Sequence, residues 1–562
     1  MSEIIMIPDT ADKELDWPLE PEGVAGAGAA VDALMPLHDV NRQFGWNVAA
    51  TIGARVLIMA RGVLLVPFLL LHIGLEAYGI WTTIFILVTY VGVTTLGLSN
   101  VYMKYAAEFH ARREYHKANA LLSTGLAITV PLCGAIFAGF FFGWKWYSPW
   151  LHLPAAHMAD GREAVLIVLG VFLSSIAFNG FGDILAGVQQ IAATQIFLMI
   201  GVLSEFLLIV WWVSMGRGIR GLAEAYLVRT VIIDGLTIWW AWRKLEWLHL
   251  SPRLVGRESI KYVVHFGGVV QFQTMLGIFL ASVERVAGLA LINATAAGLL
   301  DVGKKWPNSL SAVPMAFFNA LLPAAAHVDA ASSPETRVAN LRALYLSSSR
   351  YSNLCTAAFT GAIVFWAGPM MHVWLGPAMP TGQKIVALFV VFSLAMQMHL
   401  LTGPGTSMFR GMGRVYEEFT YSIPNVLLLA VTLPAAHWIQ GRWTPFGIGV
   451  AVSLATVGSA CVLLGRVLFV LKLSLVHYLR EVVVPGIVPY LVAGVMALPV
   501  AWLVSQVDRW QGVAVILTAG VLYVAGSVVV LHFGVLTSEE KQKGWGLFQR
   551  GFDVLRRREA TA

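Results

Sequence analysis

Charge is scarce in this sequence. Asp, Glu, Lys and Arg make up 12% of the 562 residues, about half the ~25% of a typical soluble domain. Apolar residues make up 57%, and the mean hydropathy is +0.71. A soluble enzyme is excluded, because a chain this apolar cannot cover a water-facing surface. Cysteine is nearly missing too. Cys133, Cys355 and Cys461 lie far apart, each in an apolar stretch. They form neither a disulfide framework nor a metal-ligand spacing and read as small membrane-helix residues. Nucleotide-binding, hydrolase and metalloprotease motifs are absent, so no cofactor, metal or nucleic-acid partner is expected. The N-terminus has neither the basic start nor the apolar core of a signal peptide. Residues 1–40 are instead polar and acidic, with Glu3, Asp9, Asp12, Glu14, Asp16, Glu20, Glu22, Asp32 and Asp39. They read as a disordered cytoplasmic tail.

Long apolar runs recur from residue 44 to residue 533. A hydrocarbon core of about 30 Å takes about 20 residues as helix. Backbone groups in lipid must satisfy one another, and these runs show no period-2 alternation, so helices are expected rather than barrel strands. Fourteen spans are predicted: Phe44–Leu71, Gly79–Val101, Leu121–Gly143, Ala164–Leu185, Gln195–Met215, Leu222–Trp242, Gly268–Ile292, Gly303–Ala324, Asn353–Trp374, Ile385–Ser407, Thr420–Ile439, Phe446–Leu471, Val483–Val504 and Gly512–Phe533. The fold class is therefore an all-α polytopic membrane protein.

Lys and Arg concentrate on one set of loops: Lys104, Arg112, Arg113 and Lys117, then Arg243 to Lys261, Arg337 to Arg350, Arg410, Arg414, Arg466, Lys472 and Arg480. Basic loops stay in the cytoplasm, so both termini are expected there. Residues 535–562 carry Phe548, Phe552 and Leu555 on one helical face among basic residues, the pattern of an amphipathic helix on the membrane surface.

Shifting the chain by 224 residues lays spans one to six on spans seven to twelve. Gly79 falls on Gly303, Trp150 and Leu151 on Trp374 and Leu375, and Gly187 on Gly411. Two parallel six-helix lobes follow, residues 41–243 and 268–471, with two extra helices at 483–534. Transporters built from such repeats hold substrate near the midplane between the halves.

The chemistry is sought where charge is most costly. Span one carries Asn47, Thr51, Arg55 and Arg61 within an arc of roughly 120°, and span seven carries Gln271, Thr274, Ser282 and Arg285 within roughly 80°. The 224 shift pairs Asn47 with Gln271 and Arg61 with Arg285. Membrane arginines face a bundle interior or a watery cavity. Their forked guanidinium matches phosphate oxygens, so an arginine-lined cleft implies an anionic cargo. The competing account is that these arginines only neutralise internal acids such as Glu205, Asp234 or Glu284, or snorkel to an interface, to which Arg55 is nearest. Asp234, Glu224 and Arg229 in span six are weaker candidates, for ion coupling. Asp301 and Lys305 form an i,i+4 pair that can satisfy itself.

Several segments carry a family resemblance. Asn47, Val66-Pro67-Phe68-Leu69-Leu70 and Ala77-Tyr78-Gly79-Ile80-Trp81 form one group. Lys104-Tyr105-Ala106-Ala107-Glu108 with Asn119, Leu185-Ala186-Gly187-Val188-Gln189-Gln190 and Arg410-Gly411-Met412-Gly413-Arg414 complete it. Over residues 41 to 470 the chain resembles the Wzx-type O-antigen and polysaccharide flippases of the multidrug, oligosaccharidyl-lipid and polysaccharide exporter superfamily. The resemblance implies two lobes around a V-shaped cleft and alternating access. The implied cargo is an undecaprenyl-diphosphate-linked oligosaccharide carried to the periplasmic leaflet. The implied partners are membrane lipids and the polysaccharide polymerase and chain-length machinery. Spans thirteen and fourteen depart from the twelve-helix members and keep a peptidoglycan-precursor cargo open. A multidrug exporter of the same superfamily fits the pattern as well, and so, less closely, does a polytopic polymerase or glycosyltransferase. Such an enzyme would need acids on a sizeable outer loop, and the first outer loop offers only Glu76.

Overall fold

The computed structural model describes residues 37–91, 98–151, 158–188, 190–256, 275–376, 384–534 and 541, apart from scattered positions between 311 and 334. Most of the acidic tail and the C-terminal amphipathic helix lie outside the described residues. The described chain is helical and contains no strand. Its principal helices are α1 (Leu37–His72), α2 (Gly74–Val91), α3 (Leu98–Ala111), α4 (Tyr115–Phe142), α5 (Met158–Gly187), α6 (Ile191–Ser214), α7 (Gly218–Lys244), α8 (275–291) and α9 (Ala294–Leu310). They continue with α10 (Arg337–Leu375), α11 (Ile385–Leu400), α12 (Gly403–Gly411), α13 (Phe419–Gln440), α14 (Pro445–Val470), α15 (Ile487–Ser505) and α16 (Arg509–Gly534).

Among the described residues ten helical stretches are long and apolar enough to cross a membrane. They coincide with expected spans one, three to five and nine to fourteen, as an all-α polytopic membrane protein requires. The remaining four have visible reasons to differ. Expected span two is described as α2 and α3, with residues 92–97 outside the description. Expected span six is α7, which carries Arg220, Glu224, Arg229 and Asp234 along its length. Span seven is described only from residue 275, and span eight begins as α9, interrupted by Asp301, Lys304 and Lys305.

Packing joins α1 to α6, α6 to α7, α7 to α5, and α5 to α3 and α4. A second group joins α13 to α14, α14 to α11, and α11 to α9 and α10. The last two helices, α15 and α16, lie on α10. Polar side chains fix α10 to α15, α16 and the segment just before α15, since an unmet polar group in hydrocarbon is costly. Asn353 Nδ2 donates to the Val482 carbonyl (2.7 Å), Trp366 Nε1 to Ala493 (3.1 Å), Tyr523 Oη to Ala358 (2.6 Å) and Arg509 Nη2 to Trp374 (2.7 Å).

The two groups meet chiefly through α2 and α9. This contact is made by glycine. A Cβ on Gly79 would overlap the Ala294 carbonyl, and one on Gly298 would lie 3.0 Å from Gly79 Cα and from the Leu75 carbonyl. The backbones therefore touch directly. Nearby, Trp374 Nε1 on α10 donates to the Val63 carbonyl on α1 (2.8 Å), and Trp374 meets Trp306 edge to face at 5.8 Å. The end of the molecule where α2 and α9 begin is thus closed by direct contact between the halves.

One detail departs from the expected register. The helices α2 and α9 begin at Gly74 and Ala294, 220 positions apart rather than 224. At this hairpin the counterpart of Arg285 is Leu65, four residues beyond Arg61. Arg61 stands 13 residues before the start of α2 and Arg285 nine residues before the start of α9, a difference of four residues or about one turn.

Candidate functional site

Arg61 lies on the face of α1 that packs against α6. Its Nη1 donates to Glu205 Oε2 on α6. Arg229 Nε, on α7, stands 3.5 Å from the same oxygen and covers the Tyr226 ring at 5.5 Å. Glu205 is buried, with 2% of its side chain exposed, whereas Arg61 keeps 26% and Arg229 22%. A buried carboxylate shared by two arginines is stable because a lone one would be severely penalised. The group as a whole holds one more cation than anion.

A second group faces it from the other half. Arg285 Nη1 donates to Asp301 Oδ1 (3.0 Å) and its Nε lies 3.8 Å from Glu284. Lys304 Nζ reaches Glu284 at 2.9 Å, and Lys305 Nζ reaches Asp301 at 3.7 Å, along the expected i,i+4 spacing. Tyr78, from α2, donates its hydroxyl to Asp301 Oδ2 (2.6 Å). Three cations here face two carboxylates, again with one positive charge in excess. Arg285 keeps 23% of its side chain exposed.

The two groups adjoin. Lys305 Cε would lie 3.6 Å from a Cβ on Gly62, the residue after Arg61. The arginines are therefore brought together across the seam between the halves, each already paired with internal carboxylates. The sequence marks Glu205 and Glu284 as partners for them. It does not mark Asp301 as the hub of the second group, although its position on a helix with Lys304 and Lys305 is the available signal.

The other candidates stand elsewhere. Asn47 is buried, and its Oδ1 accepts the Ala192 amide (2.8 Å), satisfying one of the open donors at the start of α6. It lines a cavity of about 280 Å³ with Trp46, Gln190, Phe197 and Trp240, some 21 Å along α1 from Arg61. Asn47→Ala is expected to lower stability by about 1 kcal/mol, the worth of a helix cap, and to leave transport near wild type. Thermal unfolding and a transport assay check this; a transport loss at unchanged stability would put Asn47 at the cargo instead. Arg55 is exposed beside Ile52, Val56 and Met59, with no partner among the described residues. Gln271 lies outside the described residues. Glu224 sits at the start of α7 in a network with Arg217 and Arg220, the latter also reaching Glu163 (3.1 Å). Asp234 accepts from Ser175 Oγ at 3.4 Å. The three candidates of α7 thus have three separate sets of partners, as their five-residue spacing requires.

No family profile matches the chain. The inward-facing form of a multidrug resistance MATE family transporter of the MOP superfamily superimposes with a TM-score of 0.59. It covers 75% of this chain and 94% of its own, at 15% identity. The chain has the fold of that superfamily. The lipid II flippase MurJ in an inward closed conformation gives a TM-score of 0.57 at 12% identity, covering 87% of this chain and 99% of its own. In sequence, the chain is 23% identical over 528 residues to the uncharacterized membrane protein EpsK of Bacillus subtilis (strain 168), across 89% of this chain and 97% of that one.

Proposed function

We propose that this protein is a flippase that carries an undecaprenyl-diphosphate-linked oligosaccharide, an O-antigen or exopolysaccharide repeat unit, from the cytoplasmic to the periplasmic leaflet of the inner membrane. The observation that carries the reading is the pair of adjoining groups at Arg61 and Arg285, one in each half, each with an excess cation and each partly exposed. A diphosphate is the part of such a cargo least able to cross hydrocarbon. Its polyprenyl tail can stay in lipid while only the head group takes a polar path. Guanidinium pairs supply that path, and the internal carboxylates keep the cations from binding the cargo too tightly to release it. A site for cationic drugs would need the opposite balance. With basic loops and both termini on the cytoplasmic side, the closed end is periplasmic and the protein is poised to receive cargo from within.

A second reading, a peptidoglycan-precursor flippase, is favoured by one observation. The MurJ likeness extends over 87% of this chain, whereas the MATE likeness covers 75%. Purified protein in liposomes separates the two. It is expected to flip a fluorescent undecaprenyl-diphosphate oligosaccharide at least tenfold faster than lipid II. Equal or inverted rates would favour the peptidoglycan precursor, and no flipping of either would remove both readings.

A further inference from the structure

Asp301 does two things at once. Its Oδ1 holds Arg285 (3.0 Å), and its Oδ2 accepts the Tyr78 hydroxyl (2.6 Å) and lies 3.7 Å from Lys305. Tyr78 belongs to the other half, one residue before Gly79, where α2 and α9 touch backbone to backbone. The same carboxylate therefore binds the cations offered to the cargo and the residue that closes the far end. It is nearly inaccessible, with 10% of its side chain exposed. Glu284, on the other side of Arg285, is fully buried and held by Lys304 at 2.9 Å.

We infer that the Tyr78–Asp301 hydrogen bond is the tie that keeps the closed end shut, and that capture of an anion by Arg285 and Lys305 releases it. The inference rests on the cargo reading above. An arriving diphosphate competes with Asp301 for the two cations. What remains is a buried carboxylate beside a second anion, with a phenol as its sole strong partner. Removing the partners of a buried charge is strongly destabilising, and like charges at short range repel. The cost is relieved when Asp301 meets water, which requires α9 to part from α2 at Tyr78. Anion capture and opening are then one event, and the empty protein stays shut. Tyr78 and Asp301 act here as positioning residues, through the seal rather than on the cargo.

The test replaces Cys133, Cys355 and Cys461 with Ser and introduces Ala294→Cys, a buried position beside Gly79. Labelling by a membrane-impermeant maleimide from the periplasmic side of proteoliposomes is measured with and without undecaprenyl diphosphate. In the parent, labelling is expected to be slow and to rise with the diphosphate. Tyr78→Phe keeps the ring and loses the tie, so labelling should be about tenfold faster without any diphosphate, the factor expected for a hydrogen bond to a charged group. Asp301→Asn keeps an acceptor for Tyr78 and removes the charge, so it should still bind the diphosphate yet label slowly throughout. If both variants label like the parent, with the diphosphate response intact, the tie is wrong while the cargo reading stands. If the parent neither binds nor responds to the diphosphate, the cargo reading fails and the coupling with it.

Discussion

Arg285→Glu is expected to abolish transport, with flipping reduced at least about a hundredfold. The substitution turns three cations facing two carboxylates into two lysines facing three, and the site then repels phosphate. Graded variants separate the contributions. Arg285→Lys keeps the charge without the forked geometry and should retain about a tenth of the activity. Arg285→Gln can still donate to Asp301 but brings no charge, and should fall between Lys and Glu. Arg61→Glu should be equally damaging, since it sets a carboxylate against Glu205 and strands Arg229 between two acids. Complementation of a strain lacking its flippase, scored by surface polysaccharide and by lipid-linked intermediate retained in the cytoplasmic leaflet, reads the effect. Thermal unfolding of the purified variants shows whether the fold survives. A Glu variant at either position that is folded and transports at the wild-type rate sinks the phosphate-capture account.

Gly79→Leu should be as damaging by a different route. At Gly79 the α2 backbone rests on Ala294 and Gly298, and no side chain larger than hydrogen fits without moving α9. The wedge prevents the closed end from forming, and close packing leaves no slack to absorb it. Transport should be lost, with Ala294 accessible from the periplasmic side at all times. Gly465, around which nothing lies within 4 Å, is the matched control, and Gly465→Leu should be near neutral. If Gly79→Leu transports normally, the contact between α2 and α9 is not the point where the halves open and close.

The two variants probe features of unequal visibility in the sequence. Arginine in a membrane helix is conspicuous because its insertion is so unfavourable, and the polar arcs together with the 224 shift point to Arg61 and Arg285 among the arginines in the expected spans. Glu205 and Glu284 are legible as internal acids that could pair with them, but which acid meets which arginine is not, and Asp301 and Tyr78 are not marked as partners at all. Glu205, Asp301 and Tyr78 lie 144, 16 and 207 residues from the arginine each group is built on. Nothing in local periodicity says which helix faces which. Asn47 shows a different limit. It shares a polar arc with Arg61, but an arc describes only the angle around a helix. The structure puts Asn47 about four turns away, at the start of α6. The expected repeat shift is 224, and the hairpins at Gly74 and Ala294 are 220 residues apart, a difference of about one helical turn.

By itself the sequence determined that this chain crosses a membrane repeatedly as helices, because apolar length and the need to satisfy the backbone in lipid leave no other form. Only the tertiary structure decided that α2 and α9 meet through Gly79 and Gly298, that α15 and α16 pack on α10, and that Asp301 accepts from both Arg285 and Tyr78. In hydrocarbon every apolar face is nearly equivalent, so packing partners are selected by shape and by a few polar contacts between helices distant in sequence, which the linear pattern does not encode.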